Sequence, residues 1–191
     1  MPELLASFHR RQPDVVISLV EDTAATLARR VYDGGLDIAF TSLTDEPVAS
    51  MRTRELHSER IVAALPPGNP LARHRRLPLT ALSERSLIAP PEGSGVRRQL
   101  DHVLARAGVR AHVAFAASEP DVLAALAGKG LGMAMVPESA LRGHDQVVGV
   151  EVDGLPREQL GILWRDGGVA APAARAFVEH TAEVVTRGGT G

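Results

Sequence analysis

Four small clusters of hydroxyl, carboxylate and glycine residues could hold an anion or a hydrogen-bonding solute. Asp22, Thr23 and Thr26 stand where a β-branched run gives way to a helical pattern. Backbone N–H groups at such a helix start bind anions, although the same side chains also serve as plain helix caps. Thr41 and Ser42 follow the run Leu36-Asp37-Ile38-Ala39-Phe40. Ligands of open α/β sheets bind beyond the carboxyl ends of strands, so both are candidate contacts; a polar surface loop is the simpler alternative. Gly93-Ser94-Gly95 precedes another helical pattern and could present amides to a carboxylate, or form only a turn. Ser118 and Glu119 open the next helix, with Ser118 at least its cap.

The same residues exclude several chemistries. The Gly93 segment has no Gly-Lys-Ser/Thr ending, so it is not a phosphate-binding P-loop, and it does not meet G-x-S-x-G, so it is not a nucleophile elbow. Gly128, Gly130 and Gly132 lie at a helix end entering a strand, the wrong order for a dinucleotide fingerprint. They read as a helix stop and a close backbone approach. The seven histidines are His9, His57, His74, His102, His112, His144 and His180. No two share i, i+4 spacing within a helix, and a metal site is not expected. Arg73-His74-Arg75-Arg76 lacks interleaved aromatics and reads as a solvated turn, not a nucleic-acid patch. With no cysteine in the chain, disulfides, thiol catalysis and Cys-ligated zinc are excluded. No cofactor and no catalytic set are expected.

The elements that must position these clusters follow from periodicity and punctuation. Leu4, Leu5 and Phe8 mark a helix closed by Pro13. Val15 to Val20 predicts a strand buried on both faces. Leu27 and Val31 mark a helix that Gly34 and Gly35 stop, and Leu36 to Phe40 predicts the next strand. Arg52 to Leu65 predicts a long strand, polar and then apolar, stopped by Pro66, Pro67, Gly68 and Pro70. Further strands are expected at Ser86–Ala89, Ala111–Ala116, Gly132–Val136, Val147–Val152 and Gln159–Trp164. Helices are expected at Ser94–Ala107, Glu119–Ala127 and Ala171–Val185. Sustained alternation of strand and helix favours an α/β fold with parallel pairing. The long strand changes polarity near His57 and Ser58, as a strand crossing between two lobes would. Gln159 to Trp164 would bring the chain back.

The bulk properties agree with a globular α/β protein. The 191 residues are 45% apolar and 23% charged, with a net charge of −2. That length suffices for a core without staples, and the charge provides no general attraction to nucleic acid or acidic membranes. No apolar run approaches the ~18 residues of a membrane span, and the first residues lack a signal-peptide layout. The expectation is a cytoplasmic protein without a membrane partner. Arg187 to Gly191 is an expected disordered tail.

Six segments, taken in order, resemble one family. They are PELLASFHRRQPDVVISLVED, TLARRVYDGGLDIAF, ERIVAALPPGNPLA, SLIAPPEGSGVRRQLDHVLARAGV, LAGKGLGMAMVPESAL, and LGILWRD followed by AARAFVEH. Together they resemble the effector-binding domain of LysR-type transcriptional regulators over almost the whole chain. The resemblance implies a type II periplasmic-binding-protein fold, two Rossmann-like lobes joined by two crossing strands. Residues 1–57 with 164–186 would form the first lobe and residues 58–163 the second. It implies a small, anionic effector contacted by Asp22, Thr23, Thr26, Thr41, Ser42, Gly93, Ser94, Gly95, Ser118 and Glu119. It implies hinges at His57, Ser58, Leu163 and Trp164, although Trp164 is most simply a packing residue. A homodimer or tetramer would use Leu4, Leu5 and Phe8 on one helix and Val122 and Ala125 on another. DNA would be reached only through an upstream helix-turn-helix absent from these residues. The family's first strand and its loop are also absent, which should leave a slot between the strands at Val15 and Leu36. A misassigned start, a fragment, or another segment filling the slot would each account for it. The alternative is a stand-alone solute-binding protein of a transport system, or a related transferase resembling the porphobilinogen type.

Overall fold

The computed structural model describes residues 2–43, 50–167 and 171–188, with side chains described as far as residue 184. In chain order the elements are α1 (Pro2–Arg11), α2 (Ala24–Tyr32), β1 (Ala39–Leu43), β2 (Met51–Leu65), β3 (Arg76–Leu77), β4 (Ser86–Ala89), α3 (Gly95–Arg106), β5 (His112–Ala116), α4 (Pro120–Gly128), β6 (Met133–Pro137), β7 (Val148–Val152), β8 (Arg157–Arg165) and α5 (Pro172–Gly188). Short 3-10 turns occupy Pro70–Arg73, Leu79–Leu82 and Glu138–Leu141. The chain divides into two compact units, Met1–His57 with Gln159–Gly191 and Ser58–Glu158.

In the first unit β1 pairs antiparallel with β8, Ala39 opposite Leu163 and Leu43 opposite Gln159. Successive side chains of β8 point to opposite faces, as the strand repeat requires. Ile162 and Trp164 join Val178 and Ala174 of α5, while Leu163 joins Val31 and Leu27 of α2. Phe8 brings α1 onto α5, its ring edge-on to Phe177 with centroids 4.9 Å apart. Arg54 of β2 reaches α5 by donating to the Val178 carbonyl and to Thr181 Oγ1, and its guanidinium lies 5.6 Å from the Trp164 ring centroid. Each fully buried apolar side chain of this kind contributes roughly 1.5–3 kcal/mol.

The second unit is a doubly covered sheet in the order β5-β4-β6-β2-β7-β3. β4 runs parallel to β5 and β6, and β2 runs antiparallel to β6 and β7. Alternation sorts its side chains between two cores. Ile61, Ala63, Leu65, Leu87 and Met135 face α3 through Leu100 and Leu104. Val62, Ala64, Ile88, Ala134 and Val136 face α4 through Leu123, Ala124 and Ala127. Both faces being dry explains why these strands read as unbroken apolar runs. Gly132 permits the approach of β6 to β4, because a Cβ there would stand 2.7 Å from the Ser86 carbonyl oxygen. Gly130, at φ +77°, closes α4, its N–H donating to the Ala127 carbonyl.

Several sequence expectations shift. Residues 15–20 are not a strand, because among the described residues no strand pairs with them to complete a ladder. β1 begins at Ala39 rather than Leu36, so Thr41 and Ser42 lie inside the strand, opposite Gly161 and Leu160. The N-cap of α4 is Glu119, which makes no side-chain cap bond; Pro120 at the first helical position needs no partner for a missing N–H, so Ser118 is not the cap. Arg76 belongs to β3 and pairs with Glu151 on β7 and with Asp153 just after it, while Arg73, His74 and Arg75 remain exposed. Of the expected tail, Arg187 and Gly188 close α5, whereas residues 189–191 and the Val185 side chain lie outside the described residues.

Candidate functional site

The first cluster is built at the start of α2. Thr23 is its N-cap: Thr23 Oγ1 accepts from the Thr26 N–H at 3.3 Å and donates to Thr26 Oγ1 at 2.9 Å. Asp22 Oδ1 accepts from the Thr23 N–H at 2.7 Å. The three residues therefore meet, but as a closed capping arrangement. The Asp22 carboxylate already sits at the positive end of the helix, where it stabilises the dipole. An incoming anion would meet that charge, so this end suits a hydroxyl or a cation. Thr41 and Ser42 are half-buried in β1, and Thr41 Oγ1 lies 3.4 Å from the Ser42 carbonyl it donates to.

The second cluster lies in the other unit and has the opposite character. Ser94 caps α3, its Oγ accepting from the Arg97 N–H at 3.2 Å. Gly93 takes φ +85°, a conformation that favours glycine, and Gly95 is buried at the first helical position. First-turn amides have no acceptor within a helix. Two arginines stand at that end. The Arg97 side chain, 12% exposed, is held by Asp101 at 2.9 Å and by the Pro90 carbonyl at 3.3 Å. Arg98 donates to the Gly93 carbonyl at 2.7 Å. The Arg97 charge is already offset by Asp101 and by Glu92 at 3.8 Å, so Arg98 and the first-turn amides are what this end offers a carboxylate. Arg97 and Arg98 were not among the expected contacts; their spacing, three and four residues after Ser94, is the signal that marks them. Ser118 and Glu119 are exposed ahead of α4 in the same unit.

The first unit also contains an apolar groove of about 660 Å³. Residues 15–22 and 35–40 border it, and Leu5, Phe8, Ala174 and Phe177 line it as well. Of the expected effector contacts, only Asp22 does so. The groove lies where the slot between the segments at Val15 and Leu36 was expected.

A serine–histidine pair, which sequence spacing could not reveal, joins α1 to α5. Ser7 Oγ lies 2.7 Å from His180 Nε2, and Arg11 Nη1 lies 2.9 Å from His180 Nδ1. A guanidinium only donates, so Nδ1 accepts and Nε2 carries the proton. His180 then donates to Ser7 Oγ, and Ser7 donates to the Leu4 carbonyl at 2.9 Å. A hydrolytic pair needs the reverse, a histidine that takes the serine proton. This pair is a buried structural link. Among the described residues no cluster of three or more His, Asp or Glu could hold a metal, and no helix is long and apolar enough to cross a membrane.

The residues expected at hinges and between protomers separate on inspection. β2 passes the division between His57 and Ser58, and the return lies between Glu158 and Gln159. Leu163 and Trp164 fall inside the first unit, 3% and 8% exposed, because alternation along β8 commits them to its two cores. Arg157 holds Ser58 through Oγ at 2.9 Å and its carbonyl at 2.7 Å. Phe8 is 2% exposed and packs on Phe177, so its ring serves the unit's own core and has no surface to offer a second protomer. Leu4, Leu5 and Ala125 are half-buried, and Val122 is 46% exposed.

Comparison with known proteins identifies the frame that carries these groups. The profile of the LysR substrate binding domain matches residues 1–186. A "Probable hydrogen peroxide-inducible genes activator" of Mycobacterium avium is 37% identical over 143 residues, covering 74% of this chain and 45% of that protein. The chain thus spans about half the length of that relative. The regulatory domain of CcmR from Synechocystis PCC6803, in complex with 2-PG, superposes with a TM-score of 0.85 at 19% identity, covering 96% of this chain and 90% of that one. The effector-binding domain of QuiR in complex with shikimate gives 0.85 at 17% identity, covering 97% and 90%. The topology is that of type II periplasmic binding proteins, and the chain belongs to the LysR substrate-binding-domain family.

Proposed function

We propose that this chain is the effector-sensing part of a LysR-type transcriptional regulator, and that its effector is a small carboxylate. The match of the family profile to residues 1–186 carries the reading. The α3 start, with Ser94, its first-turn amides and Arg98, supplies the chemistry for an anion. QuiR, bound to shikimate, provides a precedent for a carboxylate on this fold. Gly93, Gly95, Ser118 and Glu119 complete the second unit's share of contacts. Thr23, Thr26, Thr41 and Ser42 provide hydroxyls from the first unit, where Asp22 disfavours the anionic end of the ligand.

The protein is a sensor rather than an enzyme, and it acts in the cytoplasm, with DNA bound by another part of the longer regulator. Two copies associate through α4, using Val122 and Ala125, and through Leu4 and Leu5 of α1. An effector can shift such an assembly only by as much as its affinity differs between two states. Thermal denaturation in the presence of small carboxylates, shikimate among them, tests the reading. A carboxylate should raise the melting temperature while its methyl ester does not. If every acid and its ester behave alike, the anionic effector is wrong.

A further inference from the structure

We infer that the end of the second unit where its parallel strands begin is a docking surface for an acidic segment of another protein, one with an apolar centre. The inference does not depend on the effector reading. Topology gathers the surface. β2 runs against its neighbours β6 and β7, and β3, β4 and β5 run with those two. The starts of β3, β4, β5, β6 and β7 therefore share one end of the sheet. The segments leading into β3, β4, β5 and β6 are residues 66–75, 78–85, 106–111 and 129–132. They carry Arg73, Arg75, Arg85, Arg106, Arg110 and Lys129, all exposed, against one carboxylate, Glu84. The segment before β7 adds Arg142 and Asp145, whose charges cancel. The surface is thus strongly positive on a chain whose net charge is −2.

These cations are left open. Among the described residues none of the six is ion-paired, and only Arg85 has a side-chain hydrogen bond, to the Ala81 carbonyl at 2.7 Å. Elsewhere in the unit Arg60, Arg76 and Arg97 each hold a carboxylate. The backbone keeps two of the unpaired ones together. The Glu84 N–H donates to the Arg110 carbonyl at 2.8 Å, and the His112 N–H donates to the Arg85 carbonyl at 3.2 Å. Like charges held side by side repel, so the arrangement is unfavourable until an anion answers it. The apolar residues decide which anion. Leu131 stands ahead of β6 and Val148 opens β7, 43% and 37% exposed. Those strands flank the end of β2, where Pro66 and Pro67 follow Leu65. The strand order sets this apolar centre between Arg85 and Arg110 on one side and Arg73 and Arg75 on the other. An apolar centre with a charged rim is the pattern of a protein interface. The phosphate backbone of a duplex has no use for such a centre, and single strands stack on aromatics, which these segments lack. At roughly 4.8 Å between neighbouring strands the row spans about 24 Å, the length of a helix of about 16 residues.

The test uses the intact 191-residue chain and three fluorescent probes: a glutamate-flanked peptide with leucines at its centre, polyglutamate of the same net charge, and a short DNA duplex. By anisotropy at physiological salt the leucine-centred peptide should bind saturably, about tenfold tighter than polyglutamate or duplex. Arg73→Glu with Arg75→Glu should weaken it about tenfold or more. Arg29→Glu with Arg175→Glu, an equal charge change at exposed sites of the first unit, should leave it within about twofold. Leu131→Ser should lower the affinity of the peptide and leave that of polyglutamate unchanged. Surface positions of this kind tolerate substitution, and unchanged melting temperatures verify it. Equal affinity for polyglutamate would show attraction by charge alone and overturn the inference. Tighter binding of the duplex, lost in the Arg73 and Arg75 variant, would assign the surface to nucleic acid and overturn it as well. Self-association abolished by the same variant would assign it to a second copy, again against the inference. An equal loss in the first-unit variant, or no saturable binding of the peptide, would also overturn it.

Discussion

At the scale of single residues, the chain of bonds from Arg11 through His180 and Ser7 to Leu4 fixes one tautomer of one buried histidine. His180 is 6% exposed, and Arg11 is held in turn by Glu183. Hydrogen bonding and attraction from Glu183 raise the Arg11 pKa above that of an ordinary arginine, so the guanidinium stays a donor at any pH where the fold is used. His180→Leu leaves Ser7 and Arg11 without that partner and should lower stability by about 1–3 kcal/mol in urea unfolding. A neutral result would mean that the link contributes nothing. Gly132 makes a second point at this scale. Gly132→Ala drives a methyl group against the Ser86 carbonyl, and overpacking of this sort costs about 1–3 kcal/mol. Denaturation of that variant measures it. The close approach at Gly132 was legible from a glycine entering an apolar strand. The Ser7–His180 link was not, because its partners stand far apart in the chain and only tertiary packing brings them together.

Among elements, those with local causes were the legible ones. Thr23 announces α2 as a cap residue and accepts the expected amide, while Ser94, read only as part of an amide-presenting loop or turn, turns out to cap α3. Unbroken apolar runs, at the end of β2 and along β4 and β6, fit burial on both faces. The failure at residues 15–20 is of another kind. Strand propensity describes how side chains fit a pleated surface, but a strand also needs a neighbour, and the local sequence cannot supply one. The brief pairing of β3 with β7 escaped for the converse reason: two residues carry no period, and their parallel register depends on β7, far along the chain. Helix α4 allows a prediction about association. Val122 is exposed, so Val122→Glu should change monomer stability by no more than about 0.5 kcal/mol. In sedimentation velocity the same change should shift a dimer toward monomer. An unchanged sedimentation coefficient would remove α4 from the interface.

For the whole molecule, β2 changes polarity along its length near His57 and Ser58, where the chain passes from one unit to the other. The return was less visible, since β8 is apolar well past Gln159 and offers no break at the point of passage. The site follows the same logic. Which helix starts hold hydroxyls could be read locally; which of them is electropositive depends on the folded positions of Asp22 and Arg98. That asymmetry makes Ser94 the residue that separates stability from sensing. Ser94→Ala removes the α3 cap and should cost about 1 kcal/mol. Ser94→Asp keeps a cap and the favourable charge at the helix start, so stability should hold, while a carboxylate ligand would now meet a carboxylate. A ligand at a hundred times its Kd adds about 2.7 kcal/mol to stability. At roughly 2–4 °C per kcal/mol for a chain of this size, the melting temperature should rise on the order of 5–10 °C in the parent protein. Ser94→Asp should abolish that rise without lowering the ligand-free melting temperature. If Ser94→Asp keeps the full carboxylate-induced rise, the start of α3 does not hold the effector's charge.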